Sequence, residues 1–155
     1  EIGLSDINGI RRLNIATNDY MSSIEEINYK SKFFQKRGIK HHKTSKINLK
    51  TLDSFCNENN IEKIDILKLN IQGHEPNCLI GSKNLLKMGK IKFIIIELEM
   101  GDRYGVNNQF YSIEKHIVPF NYSLYDIILI KKNKLNRIQM INAIYCCDQY
   151  EFQSD

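Results

Sequence analysis

The sequence predicts an α/β fold with one mostly parallel sheet and an antiparallel edge at its C-terminal end. Two apolar runs, Ile64–Ile71 and Ile91–Met100, are typical of buried strands, and such continuous runs favour parallel pairing. Helical patterns alternate with strand patterns before residue 119, whereas strand patterns alone follow it. The length of 155 residues fits one domain spanning residues 1–155.

The composition is that of an ordinary soluble globular chain, with 42% hydrophobic and 26% charged residues. The longest purely apolar runs, such as Phe93–Ile96 and Ile127–Ile130, are too short to span a bilayer. The chain opens at Glu1 without Met and without a signal-peptide pattern. We therefore expect no membrane span and an N-terminal truncation.

The four cysteines predict buried thiols in a reducing compartment, so we expect a cytoplasmic protein. Cys146 and Cys147 are adjacent and do not form a C-x-x-C pair, and His41–His42 is a doublet without metal-ligand spacing. The sequence predicts no metal site.

Two basic clusters, Lys36–Lys46 and Lys131–Lys134, are suited to attract phosphates. Aromatic residues do not interleave with these bases as they do in single-strand binders. We interpret the clusters as solvated loops and expect no nucleic-acid partner. A phosphate-binding basic module remains an alternative.

The first part of the chain carries an Asn8-Gly9 turn signal followed by a short alternating run. Residues 18–45 are polar and irregular, with Ile24, Ile27 and Phe33–Phe34 as the side chains expected to pack. An amphipathic helix follows a strand end, because four apolar side chains fall on one face at helical spacing. They are Leu49, Leu52, Phe55 and Cys56.

The middle of the chain predicts a strand, a tight break and a helix. Ile64–Ile71 is the strand, Gly73 breaks it, and Pro76 is tolerated in the first turn of the helix. Cys78 and Leu79 should point into the core. Ser82 is placed to cap a short continuation through Leu85 and Leu86.

The strand Ile91–Met100 comes next and ends in two acids. A helix over Gln109–Val118 must stop near Pro119. The segments "YSLYDIILI", "LNRIQM" and "NAIYCCDQY" then predict two or three antiparallel strands. Arg103 and Tyr104, after the strand end, are interpreted as residues of a solvated loop.

Polar side chains gather where two of the predicted strands end. They are Asn70, Gln72, His74 and Glu75 after the first strand, and Glu97 and Glu99 at the end of the second. In open α/β sheets, ligands bind outside the carboxyl ends of the parallel strands. We therefore expect both groups to line one crevice.

Three segments together resemble the FkbM family of S-adenosylmethionine-dependent methyltransferases. They are "LKTLDSF", "IDILKLNIQGHEPNCLIGS" and "IKFIIIELE". The family pattern, I-D-x-L-K-x-D-x-E-G-x-E-x-x-x-L-x-G after a TLD helix start, is matched at the following positions. They are Thr51, Leu52, Asp53, Asp65, Lys68, Gly73, Glu75, Leu79, Gly81 and Glu97. The resemblance implies a Rossmann-like class I methyltransferase sheet.

Two features depart from the family pattern. Asn70 and Gln72 stand where the family has Asp and Glu, which removes two negative charges and adds donors. The family's glycine-rich cofactor loop and the acid after its second strand are also missing, since Gly3, Gly9, Gly38 and Gly73 form no such loop. The chain thus resembles the C-terminal part of a family member.

The resemblance implies methylation of a hydroxyl on a sugar, glycan or natural product, with S-adenosylmethionine as cofactor. We do not expect this chain alone to bind that cofactor tightly. The candidate proton acceptors are His74, Glu75 and Glu97, and the candidate substrate contacts are Lys68, Asn70 and Gln72.

Structural interpretations stand beside these catalytic ones. His74 is also interpreted as an exposed residue at a helix start, and Glu75 as an acid that holds backbone amides. A pair between Lys68 and a carboxylate such as Glu97 is a structural alternative for both residues.

A non-catalytic binding or interaction module derived from the same fold is the alternative function. It is favoured by the Asn70 and Gln72 replacements and by the missing loop. Under either function the strand Ile64–Ile71 should have an exposed edge, which invites pairing. We therefore expect a homodimer or a companion N-terminal segment.

Overall fold

A computed structural model describes residues 2–100, 103–104 and 110–150. The strands are β1 Ile2–Leu4, β2 Gly9–Ala16, β3 His41–Lys50, β4 Ile64–Leu69, β5 Ile91–Glu99, β6 Tyr122–Lys132 and β7 Ile138–Cys147. The α-helices are α1 Lys32–Arg37, α2 Leu52–Glu58, α3 Glu75–Ile80, α4 Lys83–Lys87 and α5 Phe110–Ile117. Short 3₁₀ turns lie at Asp19–Met21, Val118–Phe120 and Asp148–Tyr150. The predicted α/β class is confirmed.

The larger sheet has the strand order β4-β5-β7-β6. β4 and β5 are parallel, and β7 is antiparallel to both of its neighbours. The antiparallel C-terminal edge is thus confirmed, but the sheet is mixed rather than mostly parallel. β5 is apolar along its length because it lies in the middle of the sheet, between a parallel and an antiparallel neighbour. An apolar run shows that a strand is buried, but it does not show the direction of the neighbouring strands.

A second sheet has the order β1-β3-β2. β2 begins at Gly9 of the predicted Asn8-Gly9 turn and pairs antiparallel with β3, while β1 pairs parallel with β3. The sequence predicted an irregular segment as far as Ser45, whereas β3 begins at His41. Residues 41–46 are all exposed, so they carry no burial pattern that would reveal a strand, and pairing with β2 decides their structure.

Polar side chains of the TLD segment stabilise the starts of two helices, α2 and α4. Thr51 caps α2, because its hydroxyl accepts a hydrogen bond from Ser54 N at 3.0 Å. The carboxylate of Asp53 accepts hydrogen bonds from Asn84 N and Leu85 N of α4 at 2.9 and 3.0 Å. Ser82 occupies the predicted N-cap position of α4, but its hydroxyl donates to Cys78 O at 2.7 Å and does not cap the helix.

The main hydrophobic core joins one face of the larger sheet to the helices. It contains the predicted core residues Leu52, Cys56, Cys78 and Leu79, together with buried side chains of β4, β5, β7 and α5. Ile66 and Tyr125 on the opposite face are both 60% exposed. Among the described residues β4 pairs with β5 alone, so its other edge has no strand beside it.

A smaller core lies beside the second sheet and contains Ala16, Ile27, Phe34, Ile39 and Tyr104. Ile27 and Tyr104 also form an isolated β-bridge. The bridge therefore joins the segment before α1 to Tyr104, which follows β5 in the sequence. In the part of the chain that the structure describes, no helix has the length and apolar character needed to cross a membrane.

Candidate functional site

A chain of polar side chains connects the ends of β4 and β5. Asn70 Nδ2 donates to Glu97 Oε2 at 3.3 Å, and Gln72 Nε2 donates to Asn70 Oδ1 at 2.9 Å. The Tyr104 hydroxyl donates to Gln72 Oε1. The polar side chains at the two strand ends therefore lie in contact with one another. We call Asn70, Gln72, Glu97 and Tyr104 the strand-end site.

Tyr104 is part of this site, although the sequence predicted a solvated loop. Its side chain is buried with that of Arg103, and burial, with Glu99 nearby, raises the pKa of Tyr104 above its usual value. Backbone contacts fix the pair, because Asn28 N donates to Arg103 O at 2.8 Å. The signal in the sequence was an Arg-Tyr pair just after a strand end, and it is too short to distinguish a buried segment from a loop.

The turn after β4 holds Asn70 and Gln72 in place. Gln72 and Gly73 have φ angles of 57° and 96°, so the backbone passes through the left-handed region twice. The Glu75 carboxylate accepts hydrogen bonds from Ile71 N at 2.8 Å and Gly73 N at 2.9 Å. The Gly-x-Glu spacing of the motif therefore forms a turn closed by its own helix-start acid.

Glu75 is 1% exposed, and its hydrogen bonds are directed at the backbone. Burial raises the pKa of this carboxyl group, while its backbone hydrogen bonds oppose the rise. The geometry favours the structural interpretation, in which Glu75 positions the turn. Catalysis by Glu75 remains an untested prediction.

His74 points away from the strand-end site. Its Nδ1 lies 2.6 Å from Glu25 Oε1, and its Nε2 lies 2.9 Å from Ser5 Oγ. The ring is buried, so the expectation of an exposed histidine is wrong. These contacts connect α3 to the residues around the second sheet, and they separate His74 from Asn70 and Glu97. A catalytic role for His74 remains an untested prediction without support from its position.

Glu97 is the half-buried carboxylate of the strand-end site. Burial raises its pKa, and the positive charges of Lys68 and Arg103 oppose that rise. Lys68 is exposed on β4 and acts on Glu97 through its charge. Of the three predicted proton acceptors, Glu97 is the one that belongs to the strand-end site and contacts a predicted substrate-binding side chain, that of Asn70.

Glu99, two residues further along β5, pairs with Arg103. Burial raises the pKa of its carboxyl group to about 7 despite the positive charge of Arg103. Its Oε2 atom is buried and has no hydrogen-bond partner among the described residues. The strand end thus carries two carboxyl groups that hold protons more tightly than ordinary acids do.

The described residues contain no group of three or more His, Cys, Asp or Glu side chains arranged to hold a metal ion. Cys56, Cys78, Cys146 and Cys147 are buried and form no disulfide bonds among the described residues. Burial raises the pKa of Cys78 to about 12. Because these thiols are buried in the protein interior, they are not placed to act as nucleophiles.

A family model described as Methyltransferase FkbM domain matches residues 6–124. The chain belongs to the FkbM methyltransferase family. The match confirms the resemblance noted in the sequence, and it includes the turn after β4 and the strand-end site. Comparisons with curated proteins and with solved structures give no match.

FkbM methyltransferases use S-adenosylmethionine, and the described glycines test whether this chain offers a cradle for it. Gly9, Gly38 and Gly89 have positive φ angles but lie at the start of β2, the end of α1 and the turn after α4. Gly73 does follow a strand end, yet its amide donates to Glu75 and not outward. None of these four glycines therefore forms a cofactor cradle at a strand end.

Proposed function

We propose that this chain forms the acceptor-binding side of an FkbM O-methyltransferase that acts on a hydroxyl group of a sugar, glycan or natural product. The observation that carries the proposal is the hydrogen bond between Asn70 and Glu97 at the carboxyl ends of two parallel strands. Ligands of open α/β folds bind at such an edge. Within the family, S-adenosylmethionine supplies the methyl group.

Glu97 is the group proposed to accept the proton of the acceptor hydroxyl. Its half-buried position raises the pKa of the carboxylate and so makes it a stronger base, while Lys68 and Arg103 favour the ionised form. The Asn70 amide, which donates to Oε2, fixes the carboxylate in one orientation. The proton moves from the hydroxyl oxygen to the Glu97 carboxylate.

The neighbouring side chains position this base. Gln72 holds Asn70, and Tyr104 holds Gln72. From the other side, Ser23 Oγ donates to Gln72 O at 2.7 Å. The turn is thus fixed through its backbone and its side chains, which keeps the acceptor and base aligned without rearrangement.

A non-catalytic binding module is the second candidate, and one observation favours it. Asn70 and Gln72 are neutral amides hydrogen-bonded to each other, where the family pattern has carboxylates. A module of this kind keeps the crevice for binding and uses no base. Glu97 would then be needed for affinity or structure but not for any reaction.

A matched pair of variants tests the proposal. Methyl transfer from labelled S-adenosylmethionine to a panel of sugar acceptors is measured with the protein carrying this chain. We expect Glu97→Gln to lower the rate by about 10²–10⁴-fold, the usual contribution of a positioned base. The control Glu62→Gln, at an exposed position before β4, should keep the rate.

A variant Glu97→Gln as active as the parent would overturn the assignment of the base. Acceptor binding without methyl transfer, unchanged in Glu97→Gln, would support the binding module.

A further inference from the structure

Three distant segments form a cleft of about 740 Å³ beside the strand-end site. They are residues 30–37 at α1, Glu99, Met100 and Arg103 at the end of β5 and after it, and residues 131–134 with Gln139 at the hairpin between β6 and β7. The two basic clusters noted in the sequence, interpreted there as solvated loops, each contribute to this cleft. We call it the basic cleft.

The lining of the basic cleft is strongly cationic. Its basic side chains are Lys30, Lys32, Lys36, Arg37, Arg103, Lys131, Lys132 and Lys134. Glu99 is the one acid among the described residues that line it, and Glu99 is paired with Arg103. A concave surface lined by one sign of charge focuses the field and concentrates counter-ions. The cleft is therefore suited to an anion.

The ring of Phe33 lies close to three of these cationic side chains. The guanidinium carbons of Arg37 and Arg103 lie 4.0 and 3.4 Å from its centroid, and Lys131 Nζ lies 5.9 Å away. Cation–π contacts of this kind stabilise positive groups near one another. They bring one cation from each of the three segments to a single ring, so the arrangement is built by the fold and is more than a scatter of surface lysines.

The basic cleft adjoins the proposed acceptor site through Arg103. This residue lines the cleft, its charge acts on the pKa of Glu97, and the next residue, Tyr104, donates to Gln72. A molecule with an anionic group in the cleft would therefore extend toward Glu97. The geometry points to an acceptor that carries phosphate, sulfate or carboxylate.

We propose that the basic cleft binds the anionic group of the acceptor, so that the substrate class is an anionic sugar or a related phosphorylated, sulfated or carboxylated compound. One part of this inference, the placing of the acceptor hydroxyl at Glu97, rests on the proposed function. Binding of the anion by the cleft stands independently of methyl transfer. The described residues interleave no run of aromatic side chains with the lysines, which favours a single anionic group over a nucleic-acid strand.

Calorimetry with the protein and no cofactor tests the anion site. Glucose 6-phosphate and glucose are compared as probes, with inorganic phosphate as a third. We expect glucose 6-phosphate to bind at least about tenfold more tightly than glucose, and the difference to shrink between about 0.05 and 0.5 M salt as charges are screened. Inorganic phosphate should compete with glucose 6-phosphate.

Charge-matched variants locate the site. Lys36→Gln with Lys131→Gln removes two charges from the basic cleft, and Lys63→Gln with Lys87→Gln removes two exposed charges elsewhere. We expect the first pair to weaken glucose 6-phosphate binding by about tenfold or more and the second to change it less than twofold. Equal weakening by both pairs would overturn the proposal, because it would show a diffuse charge effect.

Two further outcomes would also overturn it. One is equal affinity for glucose and glucose 6-phosphate. The other is an oligonucleotide that binds far more tightly than any small anion and competes with it. Methyl transfer to neutral acceptors only would overturn the substrate class and leave the proposed function intact, whereas anion binding without any methyl transfer would count against the proposed function and leave the cleft intact.

Discussion

Asp53 on α2 stabilises the start of α4 by accepting a hydrogen bond from Leu85 N at 3.0 Å, and a second one from Asn84 N. The acid of the TLD segment therefore joins two helices, although its two hydrogen-bond partners lie 31 and 32 residues further along the chain. Charged caps of this kind combine a hydrogen bond with a favourable interaction with the helix dipole.

Removing this cap should destabilise the fold. We expect Asp53→Ala to lower the free energy of unfolding by about 1–2 kcal/mol, the usual cost of losing a helix cap. Urea denaturation followed by circular dichroism measures the change. Asp65→Ala, at an exposed position on β4, is the control and should change stability by less than about 0.5 kcal/mol. Equal effects in both variants would contradict the capping role.

The network around His74 should also be structural. We expect His74→Ala to lower the free energy of unfolding by about 2 kcal/mol or more, because it leaves Glu25 and buried Ser5 without the ring between them. His42→Ala removes an exposed histidine and should have little effect. A small loss of stability in His74→Ala together with a large loss of methyl transfer would instead favour the catalytic interpretation.

Glu99 should make the stability of the protein depend on pH. Its pKa is raised from 4.5 to about 7 by burial and by the nearby charges of Glu97 and Glu75, against the opposing charge of Arg103. The folded chain therefore binds this proton more tightly than the unfolded chain. The associated stability is complete below about pH 4.5 and is lost as the pH rises through about 7.

The variant Glu99→Gln should remove that dependence. Relative to the parent, we expect its free energy of unfolding to rise between pH 4.5 and pH 7.5, by up to about 3 kcal/mol. Denaturation at a series of pH values measures the difference, with Glu62→Gln as the exposed control. A difference that stays constant across this range would show that Glu99 titrates as an ordinary acid.

Restoring the acid of the family pattern at position 70 should change the titration of Glu97. In Asn70→Asp a carboxylate replaces an amide that lies 3.3 Å from Glu97 Oε2. Two such carboxyl groups cannot both ionise freely, so we expect the pair to titrate in two steps with one pKa clearly raised. Carboxyl-carbon NMR follows both groups, and Asn57→Asp, at an exposed position of α2, should leave the titration of Glu97 unaltered.

The expectation of a homodimer or a companion segment can be tested at the exposed edge and face of the larger sheet. Light scattering should show association that increases with concentration, because β4 has a free edge among the described residues and Ile66 is 60% exposed. Ile66→Glu should reduce it, whereas Ile10→Glu, at a 65% exposed position on β2, should not. A monomer at all concentrations would exclude the homodimer.

The sequence predicted those parts of the fold whose signal is local. The helix after Gly73, the stop near Pro119 and the antiparallel C-terminal strands each follow from turn chemistry or periodicity over a few residues. The meeting of Asn70 with Glu97 also followed, because the ends of neighbouring parallel strands share one edge.

What the sequence did not predict depends on contacts between distant segments. β3 begins among exposed polar residues, and only its pairing with β2 makes it a strand. Tyr104 is buried because Phe34 and Ile27 pack beside it. The gathering of Arg37 and Lys131 around Phe33 is likewise invisible in a linear reading, because the two residues belong to basic clusters that lie far apart in the sequence.

Gln72 shows where the molecule favours its site over its own stability. A side chain with a Cβ atom in the left-handed region costs about 1 kcal/mol relative to glycine, and Gln72 adopts a φ angle of 57° there. A chain selected for robustness alone would place Gly or Asn at this position. Glycine could not form the hydrogen bonds by which the Gln72 amide links Tyr104 to Asn70, so the proposed site is held together at the cost of local backbone strain.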